Sequence, residues 1–417
     1  MADRRSFPPA ELERLRRRTV GSLVAGVALG STGHIAAVTV ATIVATHIAG
    51  GTTALSGAPT ATVVLGAAAG ASSLSWLMVR RGRRVGLAAG YVVSVIGALI
   101  ATVAVITSSL PILLVGTVLI GFGNSSNQLS RYVAADLATP DRRASAIGLV
   151  VWGATIGAVA GPNLAAPAGR VALALGLPEL AGPYLVPIVF VGAAALLSFA
   201  LLRPDPYELA DASSRHDDGA DRSVAVSLAS VLDRPSVPVA MVALVAGQFV
   251  MVLIMTMTPL HMAEHGHDLA AVGIVISGHT FGMFGLSPIS GRLTDRFGSV
   301  PVILAGLAVV ALASVLAAIA PPSGGAVLFV ALFLLGYGWN LGYVAGSALL
   351  THGLSLSERT RIQGLTDTLI WSSAAVASLG SGFVLAYAGY AILGLMGAGL
   401  VLVPMLLVAA RRSAVVG

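Results

Sequence analysis

The chain has 417 residues, of which 56% are hydrophobic and only 10% are charged. An average soluble domain has roughly 25% charged residues, so this composition excludes an ordinary soluble protein and predicts a polytopic membrane protein. The sequence contains no cysteine, which excludes disulfides and thiolate metal sites. It also contains no lysine and no dinucleotide-binding glycine fingerprint, so a P-loop is excluded. We therefore expect neither an enzyme nor a bound cofactor.

Apolar runs of about 20 residues, the length that crosses a bilayer, recur along the whole chain. They predict an all-α membrane protein with 12 transmembrane helices. In chain order, the spans are predicted at residues 20–49, 60–79, 85–107, 110–137, 144–166, 183–202, 237–260, 270–290, 300–320, 325–351, 364–386 and 390–410.

All 24 basic residues are arginines, and nearly all of them fall on one side of the predicted membrane. Only Arg170 lies in a loop on the opposite side. Because loops rich in basic residues stay in the cytoplasm, both termini and the central linker are expected there, in a bacterial-type inner (plasma) membrane. The net charge of +6 then reflects this topology. It predicts contact with the anionic lipid bilayer and no nucleic-acid partner.

The two halves of the chain repeat each other. Gly82 corresponds to Gly298 and Gly148 to Gly364, each pair with an offset of 216 residues, as expected for a transporter built from two homologous bundles. The predicted organisation is a cytoplasmic segment (1–18), a six-helix bundle (19–202), a cytoplasmic linker (203–235), a second six-helix bundle (236–410) and a cytoplasmic tail (411–417).

The loop between the eighth and ninth spans reads GRLTDRFG, from Gly291 to Gly298. It is similar to the loop signature of the major facilitator superfamily, and the resemblance covers essentially the whole chain. It implies the major facilitator fold, two six-helix bundles around a central site. In that family the loop helps to hold the inward gate shut, with its acidic residue near a neighbouring helix end. The resemblance therefore implies gate roles for Gly291, Asp295, Arg296 and Gly298.

The equivalent loop of the first half keeps the basic cluster that includes Arg83 and Arg84, which the resemblance also assigns to the gate. It has Ser75 and Val79 where the family has glycine and aspartate. The usual carboxylate contact is therefore expected to be missing on that side.

Gly157, Gly161 and Pro162 in the fifth span look like the glycine-proline motif of drug/proton antiporters. Small residues four positions apart let helices approach closely, and proline bends a helix. The motif therefore indicates either antiport or simply a packing seam with a bend.

Two pairs of residues carry metal-binding chemistry. Met251 and Met255 in the seventh span, and His279 and Met283 in the eighth, are each four positions apart, which puts both side chains on one helix face. Thioether sulfur selects Cu(I), and imidazole also suits copper. The alternative for the methionines is adaptable packing, but a histidine at membrane depth needs a partner. We expect Met251 and His279 to face each other in an antiparallel pair of helices.

Further ligand types follow at the outer end of the seventh span. Met257 and His261 are again four positions apart, and His265 and His267 lie in the outer loop. They are candidates for an outer capture site, and the alternative is that they are solvated loop residues.

The two central pairs are similar to the motifs of the CcoA-like bacterial copper importers, a branch of the major facilitator superfamily. The resemblance implies that Met251, Met255, His279 and Met283 bind copper as the transported substrate. Related members of the branch carry riboflavin. The favoured function is copper import by alternating access, as a symporter or antiporter. The alternative is transport of a small organic molecule, by riboflavin-like import or drug/proton antiport.

Three other charged residues fall within predicted spans. Arg131 and Asp136 lie in the fourth span and Asp367 lies near the start of the eleventh. A charged side chain within the membrane costs free energy, so it is usually kept for a function. These residues are candidates either for gate and helix-end contacts or for proton coupling.

Overall fold

The computed structural model describes residues 8–49, 57–214, 231–267, 269–321 and 325–411. Within these ranges all regular secondary structure is helical. Residues 215–230 of the predicted linker, residues 412–417 of the predicted tail and the first seven residues lie outside the described part.

Helix α1 begins earlier than the first predicted span, because Pro9 opens a continuous helix that includes the charged lead-in. Proline is favoured in the first turn of a helix, because the N–H groups there have no partner within the helix. The α-helices are α1 (Pro9–Ile48), α2 (Ala58–Arg81), α3 (Arg83–Ile106), α4 (Leu110–Leu137), α5 (Arg143–Asn163), α6 (Ala165–Ala174), α7 (Gly182–Leu201), α8 (Pro206–Ser214), α9 (Ser236–Met255), α10 (Thr258–Glu264), α11 (Leu269–Phe284), α12 (Ser287–Phe297), α13 (Ser299–Ile319), α14 (Gly325–Leu350) and α15 (Leu356–Ala410).

The all-α architecture with about twelve spans is confirmed. Ten helices in the described ranges are long and apolar enough to cross a membrane. The remaining difference from twelve has two causes. The eighth span is divided into α11 and α12, of 16 and 11 residues. The last two spans form the single run α15, which turns at Gly389, where φ is 82°.

The first compact unit comprises residues 1–139, 153–227 and 354–368. Helix α4 is its centre, packing against α2 and α3, while α7 packs against α1 and α3. Small residues let these backbones approach closely: a Cβ atom at Gly97 would lie 2.6 Å from the Gly116 carbonyl oxygen. Such close contact is how membrane helices gain packing energy where lipid offers no hydrophobic driving force.

The second compact unit comprises residues 140–152, 228–353 and 369–417. Its centre is α14, which packs against α9, α11 and α13. A Cβ atom at Gly306 would lie 2.8 Å from the Gly338 carbonyl oxygen, so α13 and α14 are also in close backbone contact.

The compact units do not follow the two sequence halves throughout. Helix α5 changes unit after Trp152, and α15 changes unit after Thr368. The start of each of these helices is therefore packed with residues from the other half of the sequence.

Candidate functional site

Both spans that carry the Met/His motifs are interrupted after the motif, the eighth by a clear break and the seventh by a turn so short that the apolar span continues from Ser236 to Met262. Helix α9 ends at Met255, and α11 ends one residue after Met283. Pro259 and Pro288 follow, and because proline has no N–H, neither can donate to the carbonyl group four residues earlier. Broken helices are typical of the substrate sites of secondary transporters. The breaks were not predicted from the sequence, which indicated one continuous span in each case.

Asn340 of α14 holds the break in the eighth span. Its amide nitrogen donates to the Met283 carbonyl oxygen and to the Ser287 hydroxyl, both at 2.7 Å. Its amide oxygen accepts a hydrogen bond from the Ser290 hydroxyl at 2.5 Å. Asn340 thus connects the helix that carries the metal motif with the helix that carries the signature loop. Sequence reasoning missed this residue.

His279 is fully buried in the second unit. Its Nδ1 lies 2.8 Å from the Leu332 carbonyl oxygen. A carbonyl oxygen can only accept, so Nδ1 carries the proton and Nε2 has the lone pair. Nε2 is buried without a hydrogen-bond partner among the described residues. Metal-binding histidines commonly show this arrangement, with one nitrogen donating to a carbonyl group and the other left for the ion.

The other predicted ligands lie on the expected helices. Met251 is only 2% exposed, whereas Met255 and Met283 are half-buried. That Met251 and His279 face each other stays a prediction. In the described part of the chain, α9 and α11 each pack against α14 and not extensively against each other, because α14 fills the centre of the unit. Binding of one ion by all four side chains stays a prediction.

The outer candidates separate into two places. His261 and His265 lie together at α10, with ring centroids 4.3 Å apart. His267 lies beside the start of α14, where its ring would be 3.3 Å from a Cβ atom at Gly325. Met257 is half-buried in the break between α9 and α10. Within the described ranges no three histidines or carboxylates are close enough to hold a metal ion together, so the predicted set does not form a three-histidine site.

An amide and three aromatic rings form a second cluster that the sequence did not indicate. The Trp339 indole N–H donates to the Gln248 side-chain oxygen at 2.8 Å. Trp339 also stacks on Tyr343, with centroids 4.5 Å apart, and meets the Phe284 ring edge-on. The cluster connects α9, the end of α11 and α14, the same three helices that carry the predicted ligands or pack against them.

The signature loop makes the helix-end contact that the resemblance implied. The two Asp295 carboxylate oxygens accept the backbone N–H groups of Ala144 and Ser145, at 3.0 and 2.9 Å, at the start of α5. Gly291 permits this approach, because a Cβ atom there would lie 2.6 Å from the Ala144 carbonyl oxygen. A carboxylate at a helix N-terminus satisfies unpaired donors and interacts favourably with the helix dipole.

The other glycine and the arginine of this loop have simpler positions. Gly298 has a φ of 85°, a conformation that favours glycine, and it ends α12. Arg296 is exposed, with its guanidinium 5.3 Å from the Phe297 ring centroid. The gate roles of both residues stay predictions.

The first-half loop is held differently. Asp205, just before α8, accepts the backbone N–H groups of Arg83 and Arg84, at 3.1 and 3.0 Å. The start of α15 is capped by its own residues, because the Ser355 N–H donates to the Glu358 carboxylate at 2.6 Å and the Glu358 N–H to the Ser355 hydroxyl at 3.5 Å. This reciprocal capping box supplies locally the acceptor that the loop lacks at Val79.

The Arg83 side chain is buried beside two charged residues, Asp136 and Arg359, and the amide of Gln363. Its guanidinium donates to Asp136 at 2.5 Å and to the Gln363 side-chain oxygen at 3.1 Å. Arg359 is 3.7 Å from the second Asp136 oxygen, an ion-pair distance that is too long for a hydrogen bond. This cluster joins α3 and α4 to the first turns of α15 within the first unit.

A second buried pair lies further along the same helices. Arg131 donates to Asp367 at 2.6 Å, and the Tyr132 hydroxyl is 3.2 Å from the same carboxylate oxygen. The second Asp367 oxygen is buried without a hydrogen-bond partner in the described part of the chain. Removing one partner of a buried pair costs on the order of 3–5 kcal/mol, because the other charge is left uncompensated, so each of these two side chains needs the other where α4 meets α15. Proton coupling through Asp367 stays a prediction.

The glycine-proline motif forms a packing seam within the first unit. A Cβ atom at Gly157 would lie 2.5 Å from the Ser31 Cβ, and one at Gly161 would lie 2.9 Å from the Ile35 Cβ. Helix α5 therefore packs closely against α1. Pro162 lies in the last turn of α5, where the helix ends. The motif therefore forms the predicted packing seam between α1 and α5. Its link to antiport stays a prediction.

These features define a multi-pass membrane transporter. The chain belongs to the Major Facilitator Superfamily, whose sequence pattern matches residues 20–378 and, in a second match, 239–415. It is 36% identical over 400 residues to the uncharacterized MFS-type transporter YdeG of Bacillus subtilis (strain 168), covering 95% of this chain and 93% of that protein. It is 30% identical over 348 residues to the riboflavin transporter RfnT of Brucella anthropi, covering 82% and 84%.

Solved transporters share the fold. The human organic anion transporter MFSD10 aligns with a TM-score of 0.73 at 16% identity, covering 96% of this chain and all of that one. The proton:xylose symporter XylE aligns with a TM-score of 0.72 at 13% identity, covering 94% and 95%. At these identities the similarity shows the fold alone.

Proposed function

We propose that the chain is a secondary transporter of the bacterial inner membrane that imports copper by alternating access. Its arginine-rich ends and both termini would face the cytoplasm, as the bias of basic loops predicts. Asp295, with the Arg83 cluster, would stabilise the state that is closed on the cytoplasmic side.

The observation that carries the copper proposal is the state of His279. A neutral imidazole with its Nδ1 proton fixed by Leu332 presents a buried Nε2 lone pair that has no hydrogen-bond partner among the described residues. Leaving a polar nitrogen unpaired in an apolar environment costs on the order of 1–3 kcal/mol, so the position is well explained by a ligand that completes it. Met283 follows one turn later, and a thioether beside an imidazole is a donor set that suits Cu(I).

The test is uptake of radioactive copper by cells expressing either the parent chain or His279→Ala. We expect the variant to lose copper uptake while its amount in the membrane is unchanged, because one alanine leaves the helix apolar. His352→Ala is the matched control, since His352 is exposed and outside the motif. A well-expressed His279→Ala protein with parental uptake would overturn the metal assignment.

Met283→Leu refines the same test. Leucine keeps the volume and hydrophobicity of methionine but removes the sulfur, so folding is preserved. Copper uptake should fall. Unchanged uptake would reduce Met283 to a packing residue.

A second candidate, import of a riboflavin-like compound, has two observations in its favour. One is the 30% identity to the riboflavin transporter RfnT. The other is the cluster of Gln248, Trp339 and Tyr343, which combines an amide with stacked aromatic rings. In this function the His279 Nε2 would accept an N–H group of the organic ring instead of binding a metal. Riboflavin uptake by the same cells, compared between the parent and Trp339→Leu, tests this candidate.

A further inference from the structure

His261 and His265 are arranged as a chelating pair. They are four residues apart, spanning α10 and the turn that follows it, so both side chains point to one side. Their ring centroids are 4.3 Å apart and the rings are tilted by 53°, which keeps both imidazoles close without stacking them face to face. Two imidazoles at this spacing can reach one ion, since each metal–nitrogen bond is about 2.0–2.1 Å long.

The hydrogen bond of His265 fixes which of its nitrogens can bind an ion. Its Nδ1 lies 2.7 Å from the His261 carbonyl oxygen, and because that oxygen can only accept, Nδ1 is the protonated nitrogen. Nε2 therefore has the lone pair, and the side chain is exposed. This is the arrangement found for His279, but at an accessible position.

The orientation of His261 is also fixed. Its ring stacks on Tyr390, with centroids 4.2 Å apart and planes within 7° of each other. The Tyr390 hydroxyl is in turn 2.7 Å from the Thr258 hydroxyl at the start of α10. A ring held in this way loses little further rotational freedom on binding an ion, so the pair is preorganised.

We propose that His261 and His265 form a second metal site for a borderline divalent cation such as Cu²⁺ or Zn²⁺. Metal binding at this site does not depend on the proposed function. Its role, the capture of copper before transport, does rest on the proposed function. Two imidazoles without thioether or thiolate suit Cu²⁺ and Zn²⁺, whereas the methionine-containing inner set suits Cu(I). Water completes the coordination, because His265 is exposed, His261 is half-buried, and no third histidine or carboxylate joins them within the described ranges.

The experiment uses the untagged full-length protein in lipid nanodiscs, titrated with Cu²⁺ alone. Electron paramagnetic resonance of the bound Cu²⁺ reports coupling to imidazole nitrogens, and Zn²⁺, which has no redox chemistry, serves as a competitor. The variants are His265→Ala and His279→Ala. His47→Ala is the matched control, because His47 is an exposed histidine in the last turn of α1.

We expect the parent to bind Cu²⁺ with nitrogen coupling and Zn²⁺ to displace it. His265→Ala should weaken binding about tenfold or more, since even loss of a supporting partner commonly costs that much. His279→Ala and His47→Ala should retain parental affinity for this ion. Parental Cu²⁺ binding by His265→Ala would overturn the proposed site, whatever the chain transports. If the parent binds Cu²⁺ and His265→Ala does not, but the parent takes up no copper, this inference holds. Only the proposed function is then contradicted.

Discussion

At the scale of single residues, one chemical pattern occurs twice in this transporter. His279 and His265 each direct Nδ1 at a backbone carbonyl oxygen, which leaves Nε2 as the acceptor. Burial separates their roles, because one is inaccessible to solvent and the other is exposed. A buried lone pair favours a ligand that sheds its water, whereas an exposed one can bind a hydrated ion.

Asp295 gives a prediction at the same scale. Asp295→Asn keeps one acceptor oxygen but loses the charge and the second acceptor, so the contact at the start of α5 should weaken by about 1 kcal/mol. Hydrogen exchange at the Ala144 and Ser145 amides should then be about fivefold faster, the factor that corresponds to this energy. Mass spectrometry of the peptide that contains them measures the change.

Arg292→Gln is the control for that experiment. It also changes the loop charge by one unit, but the Arg292 side chain is exposed, whereas Asp295 accepts the two amides. Exchange at the two amides should remain parental in this variant. Equal protection in Asp295→Asn and the parent would show that the carboxylate does not stabilise the helix start.

Local spacing indicated the Met/His motif residues, and the family resemblance of the signature loop implied the helix-end role of Asp295. Spacing could not predict Asn340 or Asp205, because their partners lie 57 and 122 positions away along the chain. Nor could it predict that Arg131 and Asp367, 236 positions apart, form one buried pair. Such contacts depend on tertiary packing, which a single sequence does not state.

At the scale of elements, the broken spans differ most from the prediction. Hydropathy continues across Gly285 and Pro288, so a window of apolar residues indicates one helix there. The local signal for the break was nevertheless present. Proline removes an N–H donor, and a Cβ atom at Gly285 would lie 2.6 Å from the Phe281 ring. Gly-x-x-Pro within a predicted span should therefore be read as a break in the helix.

Asn340→Leu tests the element that holds this break. Leucine has the same number and branching of side-chain heavy atoms as asparagine but no hydrogen-bonding groups, so the Met283 carbonyl and the Ser287 and Ser290 hydroxyls lose their bonds to Asn340. The protein should be destabilised by about 2 kcal/mol or more, because buried groups are left unsatisfied. Thermal unfolding of the purified protein measures the loss.

Asn163→Leu is the matched control, since Asn163 is an exposed asparagine whose amide nitrogen donates to the Val159 carbonyl oxygen of its own helix. It should melt at nearly the parental temperature. A positioning role predicts a further effect: the KM for transport should rise in Asn340→Leu more than kcat falls, because Met283 is misplaced. Parental melting and parental KM would together refute the role of Asn340.

At the scale of the whole molecule, composition and repeats predicted an all-α membrane protein of two homologous bundles, and the family resemblance implied the major facilitator fold. The assignment of helices to compact units was beyond the sequence. Helices α5 and α15 change unit part-way along, after Trp152 and Thr368. Hydropathy is continuous through both positions, so only tertiary contacts reveal the change.

The central claim is that this transporter carries copper, and the most direct measurement is transport by the purified protein in proteoliposomes. Vesicles with a copper chelator inside would be supplied with radioactive Cu(I) or with riboflavin, in parallel preparations of the parent and His279→Ala. We predict that copper accumulates in the parent vesicles, that excess riboflavin does not compete, and that His279→Ala vesicles accumulate no more copper than protein-free ones. Accumulation of riboflavin without copper would contradict the claim and establish the organic substrate instead.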